Sequence, residues 1–315
     1  MQTNEKDKEK NFPKVLLLGN GINICNGCER WSDFLLSIRD KKFDMDVKTL
    51  KSPMPLQAVL ISNNTIDEKL KEKSKKLLPS QKLVCDNFPV NKILSLGFEN
   101  ILTTKYTYEL EQASFDNQPL SADKLKKLFT HSENYKADRK YTIHSYNKVI
   151  YEGKEEKIWH IHGEARKHSS MVLGHYYYGK LVKKIIEYVD GRSGLYWQQQ
   201  EEGKEIKTDS WIDAFIMGDV YVLGFTFDFS EVDLWWLLNR KFNEKAEHGK
   251  VYFYEPIIET EKEKVNLLEV FGVKVMNMGI EEKIIDGKSY IDYKTFYEKA
   301  YYSMKNGLSE VDIAI

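Results

Sequence analysis

Apolar residues in this chain come in short runs closed by glycine, and the runs alternate with stretches of helical spacing. The first run, Lys14-Val-Leu-Leu-Leu18, is ended by Gly19-Asn-Gly-Ile-Asn23. A continuous apolar run stopped by glycines is the pattern of a strand buried on both faces and followed by a tight turn. Trp31 to Arg39 then has helical spacing. Phe98 to Thr104 reads as a second strand, whose end carries Thr103, Thr104, Lys105 and Tyr106, with a helix opening at Tyr108. Residues 113–140 read as helix plus loop, and Tyr141–Tyr146 with Lys148–Tyr151 as a hairpin or a pair of short strands. Asp219–Leu223 is a strand ended by Gly224-Phe-Thr-Phe-Asp228, ahead of a helix over Ser230–Leu238. Lys250–Tyr254, ending at Glu255-Pro256, and Phe271–Met276 are further strands. Helices are expected over Leu56–Ile61, Asp67–Leu78, Gly179–Val189, Ser210–Met217 and Thr295–Met304, with an exposed loop over 190–208.

This alternation predicts an α/β fold: a Rossmann-like parallel sheet flanked by helices, with a smaller, mostly helical insertion. Residues 1–12 read as a flexible arm and residues 13–315 as a single domain, with helical insertions at about 40–90 and about 165–215. Strand, Gly-x-Gly turn, helix is the opening of a nucleotide-binding unit, although the full G-x-G-x-x-G is incomplete here.

Composition narrows the function without naming it. Lys and Arg total 47 against 48 Asp and Glu, for a net charge of −1. That balance argues for neither nucleic acid nor a membrane surface as a partner. No apolar run approaches the ~18 residues of a membrane span. The polar start, Met1 to Lys10, lacks the apolar segment of a secretory signal, so a cytoplasmic protein is expected. Cys25-x-x-Cys28 has only Cys85 as a further thiol, too few for a thiolate zinc site, and no metal is expected.

The most concentrated chemistry lies in Trp159-His-Ile-His-Gly-Glu164. Strand alternation sends His160 and His162 to one face, and Gly163 permits a turn. A histidine at a strand end, aimed into a crevice, suits a general base near neutral pH; two hydrogen-bonded core histidines would give the same pattern. Four glycine- or threonine-bearing turns at strand ends, after residues 18, 103, 161 and 223, tilt the reading toward catalysis by His162, with His160 as its buried neighbour. Asp233, inside a helix, reads as an ordinary surface or capping charge.

With these turns in view the chain resembles the sirtuin-like (SIR2-like) superfamily in its bacterial anti-phage branch, with the AbiH-type abortive-infection proteins as neighbours. The resemblance spans roughly residues 14–256 and rests on Leu18-Gly-Asn-Gly-Ile-Asn23, Thr103-Thr-Lys-Tyr-Thr107, His162-Gly163 and Gly224-Phe-Thr226. It implies a domain that binds NAD and breaks its nicotinamide–ribose bond in antiviral, abortive-infection defence. It implies His162 as the base and a pyrophosphate held on the N–H groups of Gly19, Asn20 and Gly21. Thr226 would add a hydroxyl contact, and Glu255 would take an adenosine-ribose hydroxyl. Asn23, Thr103, Thr104, Tyr106, Gly163, Gly224 and Asp228 would border the same ligand. The chain departs from the family at Lys105, where relatives carry Asn, and at Thr107, where many carry Asp. Three consequences stay open: an impaired site, a ribose-orienting role passed to Asn20 or Asn23, or a shift toward a phosphate-bearing ligand. The alternatives to hydrolysis are a non-catalytic NAD- or ADP-ribose-binding module and a sirtuin-type deacylase or ADP-ribosyl transferase. A homo-oligomer or a separate sensor or effector protein is the expected macromolecular partner.

Overall fold

The computed structural model describes residues 12–79, 81–132, 143–204, 207–256, 262–285 and 288–312. Most of the expected N-terminal arm, the start of the expected 141–146 strand and part of 113–140 lie outside those residues.

Ten strands are present among the described residues: β1 (Lys14–Leu18), β2 (Asn100–Thr103), β3 (Phe129–His131), β4 (Ser145–Tyr151), β5 (Lys154–His160), β6 (Asp219–Leu223), β7 (Val251–Glu255), β8 (Val273–Asn277), β9 (Glu282–Ile285) and β10 (Lys288–Ile291). The first eight form one sheet in the order β3-β4-β5-β2-β1-β6-β7-β8, and β9 and β10 form a separate hairpin. From β5 to β8 every neighbouring pair is parallel; β3 and β4 run antiparallel at one edge. Counted in chain order, the six parallel strands run 3-2-1-4-5-6, the doubly wound order whose direction of winding reverses beside the first strand. The sheet is thus α/β and Rossmann-like, as the pattern of apolar runs predicts.

β1 shows why its run is unbroken. Val15 and Leu17 enter the apolar layer beneath the helices His175–Asp190, Trp211–Met217 and Val232–Phe242. Leu16 and Leu18 enter the opposite layer, against Phe296, Tyr297 and Met304 of the C-terminal helix Tyr293–Asp312. All four are fully buried, each contributing about 1.5–3 kcal/mol of burial. A third cluster joins Phe34, Leu35, Ile61, Ile66 and Leu70 of the helices Trp31–Ser37, Met54–Ile61 and Ile66–Ser74. Tyr106 and Leu173 attach this helical layer to the sheet.

The structure corrects two expectations. The hairpin joins β4 to β5, because Glu152 and Gly153 both take positive φ (49° and 80°) and make the two-residue turn that suits right-twisted strands. Within 190–208, Leu195–Glu201 is helical rather than loop, anchored by the buried Tyr196, whose hydroxyl reaches Asp213. Among the described residues no helix is long and apolar enough to cross a membrane.

Candidate active site

A cleft of about 360 Å³ opens at the C-terminal ends of β5, β2, β1 and β6, where the winding reverses. Three chain segments expected to border a ligand meet there. Asn20, Gly21 and Asn23 follow β1; Thr104, Lys105 and Tyr106 follow β2; Gly224, Thr226 and Asp228 follow β6. His162, just past β5, joins them, with Tyr178 and Glu231 beside it. Trp31, Phe34, Met54 and Pro55 of the helical layer close the apolar side.

The Gly-x-Gly turn is built for close approach. A Cβ at Gly19 would lie 2.2 Å from the Gly224 carbonyl oxygen. The Gly19 N–H donates to Leu223 (3.0 Å) and the Gly21 N–H to Gly224 (2.9 Å). These two N–H groups therefore tie the β1 turn to the β6 turn, which corrects the expectation that both would hold a pyrophosphate. The following helix, Gly21–Cys25, is only five residues long.

The remaining polar groups of this turn form a chain along one wall. Lys105 Nζ donates to Asn23 Oδ1 at 3.4 Å and lies 3.6 Å from Glu109 Oε2. Asn23 Nδ2 donates to Asn20 Oδ1 (3.2 Å), and Asn20 Nδ2 to the Glu29 carbonyl (3.2 Å). The side chain of Lys105 is 2% exposed, so its charge sits against Glu109 at the cleft surface.

His162 is buried behind this wall. Its Nε2 is 2.9 Å from Asp233 Oδ2 and 3.8 Å from Glu231 Oε2. Its ring stands edge-on to Tyr178, whose hydroxyl donates to Glu231 Oε2 at 3.1 Å. Burial alone would lower the His162 pKa, but the Asp233 carboxylate and then Glu231 hold it above its ordinary value. Burial pushes Glu231 up to about 7 despite the opposing pull of His162. Asp233 has no exposed surface, and its Oδ1 has no hydrogen-bond partner. Its burial against His162 corrects the expected surface or capping charge; a carboxylate in the first turn of a helix is ordinarily a solvated complement to the helix dipole.

The two histidines part company. β5 ends at His160, and the chain turns through Ile161–Gly163, so strict alternation stops before His162. Gly163 has φ +87°, and a Cβ there would lie 2.1 Å from the Ser170 carbonyl oxygen. His160 instead places Nδ1 at 2.8 Å from the Lys105 carbonyl and Nε2 at 2.9 Å from Glu111 Oε1. With an acceptor at each nitrogen the ring donates twice, as an imidazolium. Burial opposes that charge and Glu111 restores it, raising the His160 pKa. His160 thus fixes the backbone that carries Lys105, the buried partner role expected of it.

The other predicted residues fall at different depths. Tyr106 borders the cleft and donates its hydroxyl to the Val172 carbonyl (2.7 Å). Asp228 borders it too and accepts the Ser230 N–H (2.8 Å), shaping the entry to the helix Val232–Phe242. Thr103 lies below, fully buried, donating to the Leu18 carbonyl. Glu255, at the end of β7, is not among the cleft's lining residues, and burial raises its pKa against the pull of Lys264.

No protein-family model matches this chain, and no curated protein matches it.

Proposed function

We propose that this chain is a sirtuin-like NAD+ glycohydrolase, hydrolysing NAD+ to nicotinamide and ADP-ribose, and that it serves bacterial antiviral defence by depleting NAD+. The observation that carries the reading is His162: a buried imidazole, held by Asp233 at 2.9 Å, bordering a cleft at the winding reversal of a Rossmann-like sheet. In the reaction the bond between the ribose C1′ and the nicotinamide nitrogen breaks, with its electron pair going to the nitrogen. A water oxygen bonds to C1′, and the proton that water sheds passes to His162. Carboxylates favour the cationic ribose that develops: Glu231 and Asp228 on the cleft wall, Asp233 behind it. The Lys105–Asn23–Asn20 chain supplies amide groups toward the ribose, with the lysine charge balanced by Glu109.

Purified protein is incubated with NAD+ and nicotinamide release is followed. Release by wild type and its loss in His162→Ala supports the reading; no release under any condition, or equal release by the variant, sinks it. Lys105 favours a second reading, a module that binds NAD+ or ADP-ribose without turnover. Calorimetry separates the two: tight binding with the ligand recovered intact selects the module.

A further inference from the structure

We propose that His162, Glu231 and Asp233 form a site for one divalent cation of the zinc or manganese class, and that a cation held there switches off hydrolysis by occupying the base. The inhibitory half rests on the hydrolase reading; the cation site does not.

One imidazole nitrogen and two carboxylate oxygens converge here, all within 4.8 Å of one another. The separations from Nε2 are 2.9 Å to Asp233 and 3.8 Å to Glu231. A tetrahedral metal at about 2.0–2.2 Å from each donor needs donor atoms about 3.3–3.6 Å apart, so Asp233 would move out and Glu231 in by a few tenths of an ångström. A mixed nitrogen and oxygen set suits zinc or manganese better than calcium or magnesium, which prefer oxygen alone. Three protein ligands beside an open cleft leave a coordination position for water, the arrangement of an open rather than a closed metal site.

A separate observation points to a ligand. Asp233 is fully buried, yet its Oδ1 has no hydrogen-bond partner. An unpartnered carboxylate oxygen away from water is costly, and a cation bound by this carboxylate would compensate it. The surroundings are also those of a supported ligand set. The Tyr178 hydroxyl donates to Glu231 Oε2 and orients that carboxylate, as outer hydrogen bonds do for metal ligands. The divalent cation takes Nε2 and the proton that bridged Nε2 to Asp233 leaves to solvent, so the site gains one net positive charge between its two carboxylates. With Nε2 coordinated, the neutral imidazole carries its one remaining proton on Nδ1 and has no free lone pair with which to take a proton from water.

The test uses the full chain, stripped with a chelator and titrated with Co2+ by visible absorbance and with Zn2+ by calorimetry. We expect one ion per chain, with proton release. Binding weakens about ten-fold or more in His162→Ala and Asp233→Asn. Glu231→Gln, at a partly exposed position, gives the same loss in a protein whose fold is checked by circular dichroism. The Cys25→Ser/Cys28→Ser double variant binds as wild type does. Failure of wild type to bind either ion overturns the site. So does unchanged binding in Glu231→Gln, or binding lost in the cysteine double variant. For the inhibitory half, nicotinamide release falls with added Zn2+ at the midpoint of the binding curve. An ion that binds without slowing release overturns inhibition alone. Absence of release from the stripped protein sinks the hydrolase reading and its inhibition, while the binding data still decide the site.

Discussion

Glu156 offers a clean measure of how strongly this fold confines charge. It sits on β5 beside Ile158, 1% exposed, and neither carboxylate oxygen has a hydrogen-bond partner. Burial pushes its pKa from 4.5 up to about 8, with Lys154 pulling the other way. The unfolded chain holds this carboxyl near its ordinary value, so between those two pH values the folded protein binds more protons than the unfolded one. Stability from this group is then fully present below the ordinary value and is lost as pH rises through the folded value. At about 1.36 kcal/mol per unit, the shift is on the order of 4–5 kcal/mol; relaxation of the surroundings around the charged form brings our expectation to about 2 kcal/mol. Glu156→Gln keeps the shape and removes the charge. Urea unfolding of both proteins is measured from about pH 5 to about pH 8, with the variant gaining on wild type throughout and leading by about 2 kcal/mol at the upper end. A difference that stays flat with pH, or a variant less stable at about pH 8, refutes the reasoning.

Asp233→Asn removes the carboxylate that supports His162, and nicotinamide release is expected to fall about 100- to 1000-fold with the fold retained by circular dichroism. Because Asp233 and Glu231 hold His162 above its ordinary value of 6.5, the base form gains as pH rises; wild-type turnover should climb through and above that value, and the residual turnover of Asp233→Asn should reach its plateau at lower pH. Lys241, 3% exposed, donates to the carbonyls of Phe215, Ile216 and Gly218 at the end of the helix Trp211–Met217. Lys241→Met strands those acceptors and should destabilise by about 2–4 kcal/mol in denaturant titration. Gly19→Ala and Gly179→Ala should have opposite signs: the first drives a Cβ to 2.2 Å from the Gly224 oxygen and costs more than about 2 kcal/mol, while the second meets open space on an exposed helix face and gains about 0.5–1 kcal/mol in thermal unfolding.

The central parallel strands β1, β2 and β6 are legible because each is buried on both faces, so the apolar run is continuous and the turn that ends it stands out. The same logic hid the edge. β4 alternates buried positions, Ser145, Asn147 and Val149, with the half-buried Tyr146 and the exposed Lys148 and Ile150, and its buried set is partly polar. Asn147 reads as a loop residue until its amide is seen donating to Glu111 at 2.8 Å. Two-residue turns are local, and Glu152-Gly153 carries a signal weaker than Asn-Gly, so the residue pattern alone points to a turn one strand too early.

The site was legible in proportion to how much of it is backbone. Gly19, Gly163 and Gly224 mark places where chain passes chain, and a missing Cβ leaves a trace in any sequence. The acidic half of the site leaves none at the level of motifs, but it does leave one in periodicity. Leu234 and Leu238 are four apart on the buried face of the helix Val232–Phe242, and so are Asp233 and Leu237. An acid in register with a buried leucine is not a solvated capping charge: its helix carries it inward whatever its chemistry. Once inward, a carboxylate needs a counter-charge, and the residues with that capacity are few. His162 is among them, just past the end of β5, which neighbours β2 while the helix follows β6. A charged residue on the apolar stripe of a helix that follows a Gly-x-Thr turn is therefore a stronger pointer to the histidine's role than the His-Gly pair. It identifies the imidazole's charged partner, where the pair identifies only where the chain bends.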